Sequence, residues 1–245
     1  MAFDCVSRTH VGLKRKINED SLMTRTERGL WAVADGMGGH EAGEIASGKI
    51  AEALSILPIV YSLQETVDDA VAALQRVNRD LISLARGGGQ MRTIGSTVVG
   101  LAISADEFRC FWAGDSRAYR IRAGRIVQLS RDHSLVQDLV SAGMLSEAEA
   151  RVHPNANVVT RAVGVSEELE VAVVSGDVRA GDIFLLASDG LTRVVEDWEI
   201  AEELSSSRPA DAADRMIDLV LERGAPDNVT LVIVRPEFGD ADQES

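Results

Sequence analysis

The chain has 245 residues, with 25 Lys and Arg against 39 Asp and Glu, for a formal net charge of −14. This balance disfavours a sequence-independent nucleic-acid binder, which needs a net basic face, and for the same reason an anionic membrane surface. Hydrophobic residues make up 45% and aromatic residues only 4%, which fits one globular domain, or at most two, with a core of Val, Ile, Leu and Ala.

From the N-terminus, residues 2–12 predict one or two short strands. Residues 30–34 (Leu-Trp-Ala-Val-Ala) form a buried strand that runs into Asp35-Gly36-Met37-Gly38-Gly39. A helix follows over about 42–57, stopped at Pro58. The clearest helix spans about 66–86, where Val67, Ala70, Val71, Leu74, Val77, Leu81 and Ala85 keep three-to-four spacing, and Gly87-Gly88-Gly89 ends it. Strands near 95–104, 107–113, 117–122 and 125–129 are joined by short polar turns, which imply antiparallel hairpins. Residues 134–160 break this pattern with a short helix, a further helical turn and a polar stretch containing His153-Pro154-Asn155, an excursion over the surface. Strands at 169–175 and 182–187, helices at 197–205 and 210–223, and a last strand at 228–235 complete the chain. Hairpins outnumber crossover connections, so the fold class is α+β. One domain is expected over residues 1–236, with a short acidic tail at 237–245.

Cys5 and Cys110 lie in apolar, strand-like segments without a CxxC pattern and read as buried thiols in a reducing cytosol. The start Met1-Ala2-Phe3-Asp4 shows no signal peptide, and no window approaches the ~18 apolar residues of a membrane span. A cytoplasmic protein with no membrane or nucleic-acid partner is expected. The acidic helical stretch from Glu196 to Asp218 reads as a solvated face.

The informative residues are aspartates at strand ends followed by small or polar residues: Asp35-Gly36, Asp115-Ser116, Asp189-Gly190 and Asp227-Asn228. Glu19-Asp20 adds two more acids in an early polar turn. One Asp-Gly after a strand is an ordinary turn. Four such ends, if they converge, put several carboxylates in one small volume, where like charges repel. Hard divalent cations such as Mg²⁺ or Mn²⁺ resolve that repulsion through oxygen ligands. Two ions about 3.5–4 Å apart make a hydrolytic site for in-line attack on phosphorus. Arg15, in Lys14-Arg15-Lys16 just before these acids, is placed to hold a phosphoryl group.

These segments resemble the metal-dependent Ser/Thr protein phosphatases of the protein phosphatase 2C type, in their short bacterial form. The matching motifs, in chain order, are Arg15-Lys16-Ile17-Asn18-Glu19-Asp20-Ser21, Val33-Ala34-Asp35-Gly36-Met37-Gly38-Gly39-His40, Gly95-Ser96-Thr97 and Ala113-Gly114-Asp115-Ser116-Arg117. Leu129-Ser130-Arg131-Asp132-His133-Ser134, Ala187-Ser188-Asp189-Gly190-Leu191 and Asp227-Asn228-Val229-Thr230 complete the set. The resemblance implies a four-layer α-β-β-α sandwich of two antiparallel sheets with a dimetal cleft at one end, and a flap at about 134–160 affecting substrate access. It assigns Asp35 as the carboxylate bridging two metals, with the Gly36 carbonyl on the second, and Asp189 and Asp227 on the first. Asp115 with Asp189 would hold a third, looser metal, so two or three Mn²⁺ or Mg²⁺ ions are implied. Glu19, Asp20 and Asn228 would act through metal-bound waters, and Arg15 would bind the phosphate.

The chain departs from the eukaryotic pattern in one place: Met37 stands where a His follows the Asp-Gly, and His40, three residues on, is a substitute general acid. His133 reads as a structural hydrogen-bonding residue. Three rival motifs fail on their own residues. The Gly36-x-Gly38 run lands on Glu41 where a dinucleotide fingerprint needs Gly or Ala. The Gly43 to Lys49 segment ends in Ile50 where a P-loop needs Ser or Thr. Gly114-Asp115-Ser116 joins two strands, unlike a nucleophile elbow. The expected activity is hydrolysis of phosphoserine and phosphothreonine on proteins by a hydroxide bridging two metals, reversing a bacterial Ser/Thr kinase, in some bacteria within type VI secretion control. The alternatives are a non-catalytic binding module of the same fold and a phosphatase of a nonprotein phosphate ester. A monomer is expected.

Overall fold

The computed structural model describes residues 1–38, 42–58, 62–87 and 93–238. In chain order its elements are β1 (Ala2–His10), β2 (Asp20–Arg25), β3 (Leu30–Met37), α1 (Ala42–Ser55), α2 (Leu63–Gly87), β4 (Gly95–Ser96), β5 (Val98–Ser104), β6 (Glu107–Ala113), β7 (Arg117–Arg122) and β8 (Arg125–Gln128). They continue as α3 (Leu135–Ser141), α4 (Glu147–Arg151), β9 (Ala172–Asp177), β10 (Ile183–Ala187), α5 (Asp189–Thr192), α6 (Asp197–Ser206), α7 (Pro209–Glu222) and β11 (Val229–Glu237). One sheet has the order β1-β11-β10-β7-β8, and the other β2-β3-β5-β6-β9 with β4 on β3. The strand pairings are antiparallel, so the α+β reading of the hairpin pattern holds.

Three apolar layers separate four structural ones, because alternate residues of a strand face opposite ways. Trp31, Val33, Leu101, Phe108, Phe184, Leu186, Val232 and Val234 fill the space between the two sheets. The neighbours Leu30, Ala32 and Ala34 instead meet Ile50, Leu54, Leu74 and Leu81 of α1 and α2. Leu231 and Ile233 turn the other way to Ile200, Leu204, Met216 and Val220 of α6 and α7. The result is the α-β-β-α sandwich. β1 pairs with β11 along its whole length, Ala2 against Glu237 to His10 against Val229, so both ends of the chain share one sheet.

Several boundaries differ from the sequence expectation. Asp20 does not sit in a turn; it begins β2 and lies directly opposite Asp35. α2 starts three residues early because Ser62 and Glu65 form a reciprocal cap: the Glu65 amide donates to Ser62 Oγ at 3.1 Å, and that hydroxyl donates to the Glu65 carboxylate at 2.9 Å. β9 begins at Ala172 rather than 169, since its partner β6 ends at Ala113 and fixes the register at Trp112–Ala172. Asp189-Gly190 opens the short helix α5 instead of a plain turn. Glu237 still belongs to β11, and most of the expected tail, together with Gly88 and Gly89, lies outside the described residues.

The sandwich brings one set of strand ends together: β3, β6 and β10 finish where β2, β5 and β11 begin. Close backbone approach there requires glycine. A Cβ on Gly190 would lie 1.8 Å from the Asn228 carbonyl oxygen, and one on Gly36 would lie 2.1 Å from that of Gly43. Gly190→Ala is therefore expected to destabilise by about 2 kcal/mol or more, read as a lowered midpoint in urea, because only backbone movement of α5 or β11 relieves the clash.

Candidate active site

The strand ends open onto one cleft lined by Arg15, Glu19, Asp35, Gly36, Asp115, Asp189 and Asp227. Each acid arrives on a different segment: the β1–β2 loop, the end of β3, the β6–β7 turn, the first residue of α5, and the loop before β11. Convergence, which the sequence could only suggest, is present.

Asp35 is held by its own backbone. Thr97 N–H donates to the Asp35 carbonyl at 2.8 Å, Ser96 Oγ donates to the same oxygen at 2.9 Å, and Asp35 N–H donates to Thr97 Oγ1 at 3.2 Å. Thr97 Oγ1 also pairs with Ser116 Oγ at 2.7 Å, joining the β3 anchor to the turn that carries Asp115. Gly95-Ser96-Thr97 is thus the clamp on Asp35.

The Asp115 turn rests on the segment after β8. Gly114 N–H donates to His133 Nδ1 at 3.2 Å, and the imidazole stacks on Trp112 with ring centroids 5.9 Å apart. Burial, with Arg161 beside it, lowers the His133 pKa to about 4. His133 is therefore a neutral structural residue, as its sequence context suggested. Its neighbour Asp132 takes a bidentate pair from Arg117, with Nη2 at 2.7 Å.

Asn228 organises the loop that carries Glu19. Its Oδ1 accepts from the Glu19 amide at 2.8 Å, and its Nδ2 donates to the Val11 and Ile17 carbonyls. Its side-chain amide is spent on backbone. Glu19 in turn lies against Gly43 at the start of α1, where a Cβ would come within 2.5 Å of its Oε1. Asp20 is buried beneath the cleft: Ser188 Oγ donates to its Oδ2 at 2.8 Å, while Oδ1 is buried without a partner.

Charge dominates this cleft. Burial pushes the Asp35 carboxyl well above its ordinary value, and Asp189, Asp20, Asp115 and Asp227 add repulsion. Burial and Asp189 push Asp115 up to about 7, against the opposing pull of Arg193. Burial pushes Asp20 up to about 6, with Asp227 and Glu19 adding to it. Asp189 is raised by burial too, although Arg193 offsets part of the effect. Two arginines lie among the acids. Arg15 Nη2 is 2.7 Å from Asp227, and Arg193 Nη2 is 2.9 Å from Asp115 and 3.0 Å from Asp189. Among the described residues, no three His, Cys, Asp or Glu side chains close on one metal-sized point.

Residues 3–229 match the family model described as Protein phosphatase 2C. The chain belongs to the protein phosphatase 2C family. It is 35% identical over 227 residues to the Serine/threonine protein phosphatase PstP of Mycobacterium tuberculosis, covering 93% of this chain but 44% of PstP, so it spans less than half the length of that curated relative. A solved structure of the PstP catalytic domain in complex with two manganese ions superposes with a TM-score of 0.85 at 34% identity, covering 95% of this chain and 97% of that one. PppA of Pseudomonas aeruginosa, described as a key regulatory component of the type VI secretion system, is 44% identical with a TM-score of 0.87 over 96% of this chain and 98% of PppA.

Within this protein phosphatase 2C chain, sequence reasoning missed three lining residues, Asn157, Val159 and Arg193. Nothing marks Asn157 in its polar stretch. Arg193 carried a legible signal, because it follows Asp189 by four residues and a helix there puts the two on one face. Met37 lines the cleft, whereas His40, the expected substitute acid, lies outside the described residues. Without cations, Asp20 and Asp115 hold more protons in the folded chain than in the unfolded one, since they rise from 3.8 to about 6 and about 7, whereas His133, lowered from 6.5 to about 4, holds fewer and offsets part of the effect. The stability this protonation contributes is full below pH 3.8 and is lost as pH rises through about 7. In EDTA, the melting temperature should therefore fall from pH 5 to pH 8, and Mn²⁺ at pH 8 should restore it; equal melting temperatures across that range would remove the carboxylate cluster as a source of strain.

Proposed function

We propose that the chain is a metal-dependent phosphatase that hydrolyses phosphoserine and phosphothreonine on proteins. The observation that carries this reading is the placement of Asp35 opposite Asp20 in register, with Asp115, Asp189 and Asp227 close enough to raise its carboxyl pKa. Like charges directly opposite on a sheet destabilise it unless something neutralises them. The donor set is all oxygen, and the unpartnered Asp20 Oδ1 leaves a buried acceptor unused. Both features fit Mn²⁺ or Mg²⁺.

In this reading Asp35, the Gly36 carbonyl, Asp189 and Asp227 would hold two ions. Glu19 and Asp20 would act through the water around such ions, and Asn228 fixes the loop on which Glu19 sits. Bound divalent ions supply Lewis acidity and an activated water for in-line attack on phosphorus. Arg15 is half-exposed at the mouth of the cleft and already pairs with a carboxylate, so its guanidinium is free to exchange Asp227 for the equatorial oxygens of a phosphoryl group. The excursion containing α3 and α4 borders the cleft through Asn157 and Val159, which supports a role in substrate access. Among the described residues no helix is long and apolar enough to cross a membrane.

The protein-directed substrate class is supported by PstP, whose name is Serine/threonine protein phosphatase. The identity to PppA supports a place in control of type VI secretion, and a phosphatase of phosphoserine and phosphothreonine there would reverse a Ser/Thr kinase. Hydrolysis of p-nitrophenyl phosphate and of a phosphothreonine peptide with Mn²⁺ tests the activity. Asp35→Asn and Asp189→Asn should each lower kcat by about 100-fold or more; undiminished turnover in either would refute the site. Arg15→Ala should raise KM about 10-fold with a smaller change in kcat, as expected for lost phosphate binding, and an unchanged KM would refute that role.

A further inference from the structure

Arg193 bridges two of the acids that line the cleft. Its Nη2 contacts two acids at once, Asp115 Oδ2 at 2.9 Å and Asp189 Oδ2 at 3.0 Å, and both carboxylates are largely buried. Its Nη1 donates to Asn157 Oδ1, in the segment between α4 and β9. Its backbone is equally constrained. Arg193 caps α5, and its amide donates to the Asp189 carbonyl at 2.9 Å, so the side chain lies over Asp189 by helical geometry. The guanidinium therefore has a fixed root, two anionic partners on its inner side and a neutral amide oxygen on its outer side.

We propose that Arg193 is a resident cation that holds Asp115 and Asp189 together and keeps a divalent ion off that pair, so that the chain takes two divalent ions rather than three. The proposal rests on the metal reading above. An ion shared by these two aspartates would compete with Arg193 for the two Oδ2 atoms that its Nη2 contacts. It would also have to sit beside a guanidinium that stays protonated at all physiological pH, and like charges at such range repel. The planar fork reaches both acids and Asn157 together, which the point charge of a lysine does not reproduce. Arg193 is thus a positioning residue: it sets the separation of Asp115 and Asp189 and ties the excursion to the cleft through Asn157.

Mn²⁺ binding to the wild type, Arg193→Ala and Arg193→Lys tests this, using the electron paramagnetic resonance signal of free Mn²⁺ and titration calorimetry at pH 7.5. The wild type should saturate at two ions per chain. Arg193→Ala should take a third with a Kd at least about 10-fold below that of any third site in the wild type, and Arg193→Lys should fall between them. A third ion bound equally well by wild type and Arg193→Ala overturns the proposal while leaving the metal reading intact. No Mn²⁺ binding by the wild type overturns the metal reading and the proposal with it. Should Arg193→Ala fail to fold by near-ultraviolet circular dichroism, Asn157→Ala loosens the outer hold on the guanidinium. That variant should strengthen third-site binding in the same direction by a smaller factor, and identical binding to wild type would count against the proposal.

Discussion

The repulsion among carboxylates at one end of the sandwich is the constraint that organises the cleft. Asp20 and Asp35 face each other across β2 and β3, and Asp189, Asp115 and Asp227 close in from three other segments. Such a cluster persists only if the backbone beneath it is over-determined and if cations or protons offset the charge. The surrounding residues supply both. Ser96, Thr97 and Ser116 lock Asp35 and the Asp115 turn into one hydrogen-bonded unit. Ser188 feeds a proton donor to Asp20 from below, and Arg15 and Arg193 offset charge from above.

The two sheets act as the frame for this strain. Their shared apolar layer, built on Trp31, Phe108 and Phe184 with small aliphatic neighbours, fixes how the ends of β3, β6 and β10 meet. Because each acid comes from a different segment, the cleft exists only when the whole sandwich is assembled. The loops that carry the acids are braced individually. His133 holds Gly114, Arg117 holds Asp132, and Asn228 spans Val11, Ile17 and Glu19. Residues inside the family motifs that touch no substrate therefore still have a definite physical task, which is to keep like charges in register.

The excursion between β8 and β9 is built differently. α3 has no buried residue, and α4 buries only Ala150, so packing alone holds these helices weakly. Polar links fasten the excursion to the rest of the chain: the pair of Arg151 with Glu196 and the contact of Asn157 with Arg193.

Much of this was legible in the sequence for an identifiable reason. Short hairpin links between strands and three-to-four spacing in a helix are local, so the strands, the two helix pairs and the α+β class followed from residues such as Val67 to Leu81, while the two packed sheets were implied by the resemblance to the protein phosphatase 2C type. The metal-type aspartates were legible because each sits at the end or the start of an apolar strand. What sequence could not supply was anything that depends on distance across the chain. The opposition of Asp20 to Asp35 is a matter of register, decided when β2 pairs with β3, and a polar doublet after a loop gives no hint of it. The grip of Arg193 on Asp115, 78 residues away, is decided by how β10 and β6 deliver their ends to one place. The sequence by itself determined which groups carry charge and which segments end at acids; the tertiary structure decided which of those charges face each other, because electrostatic partnership depends on separation in space and not along the chain.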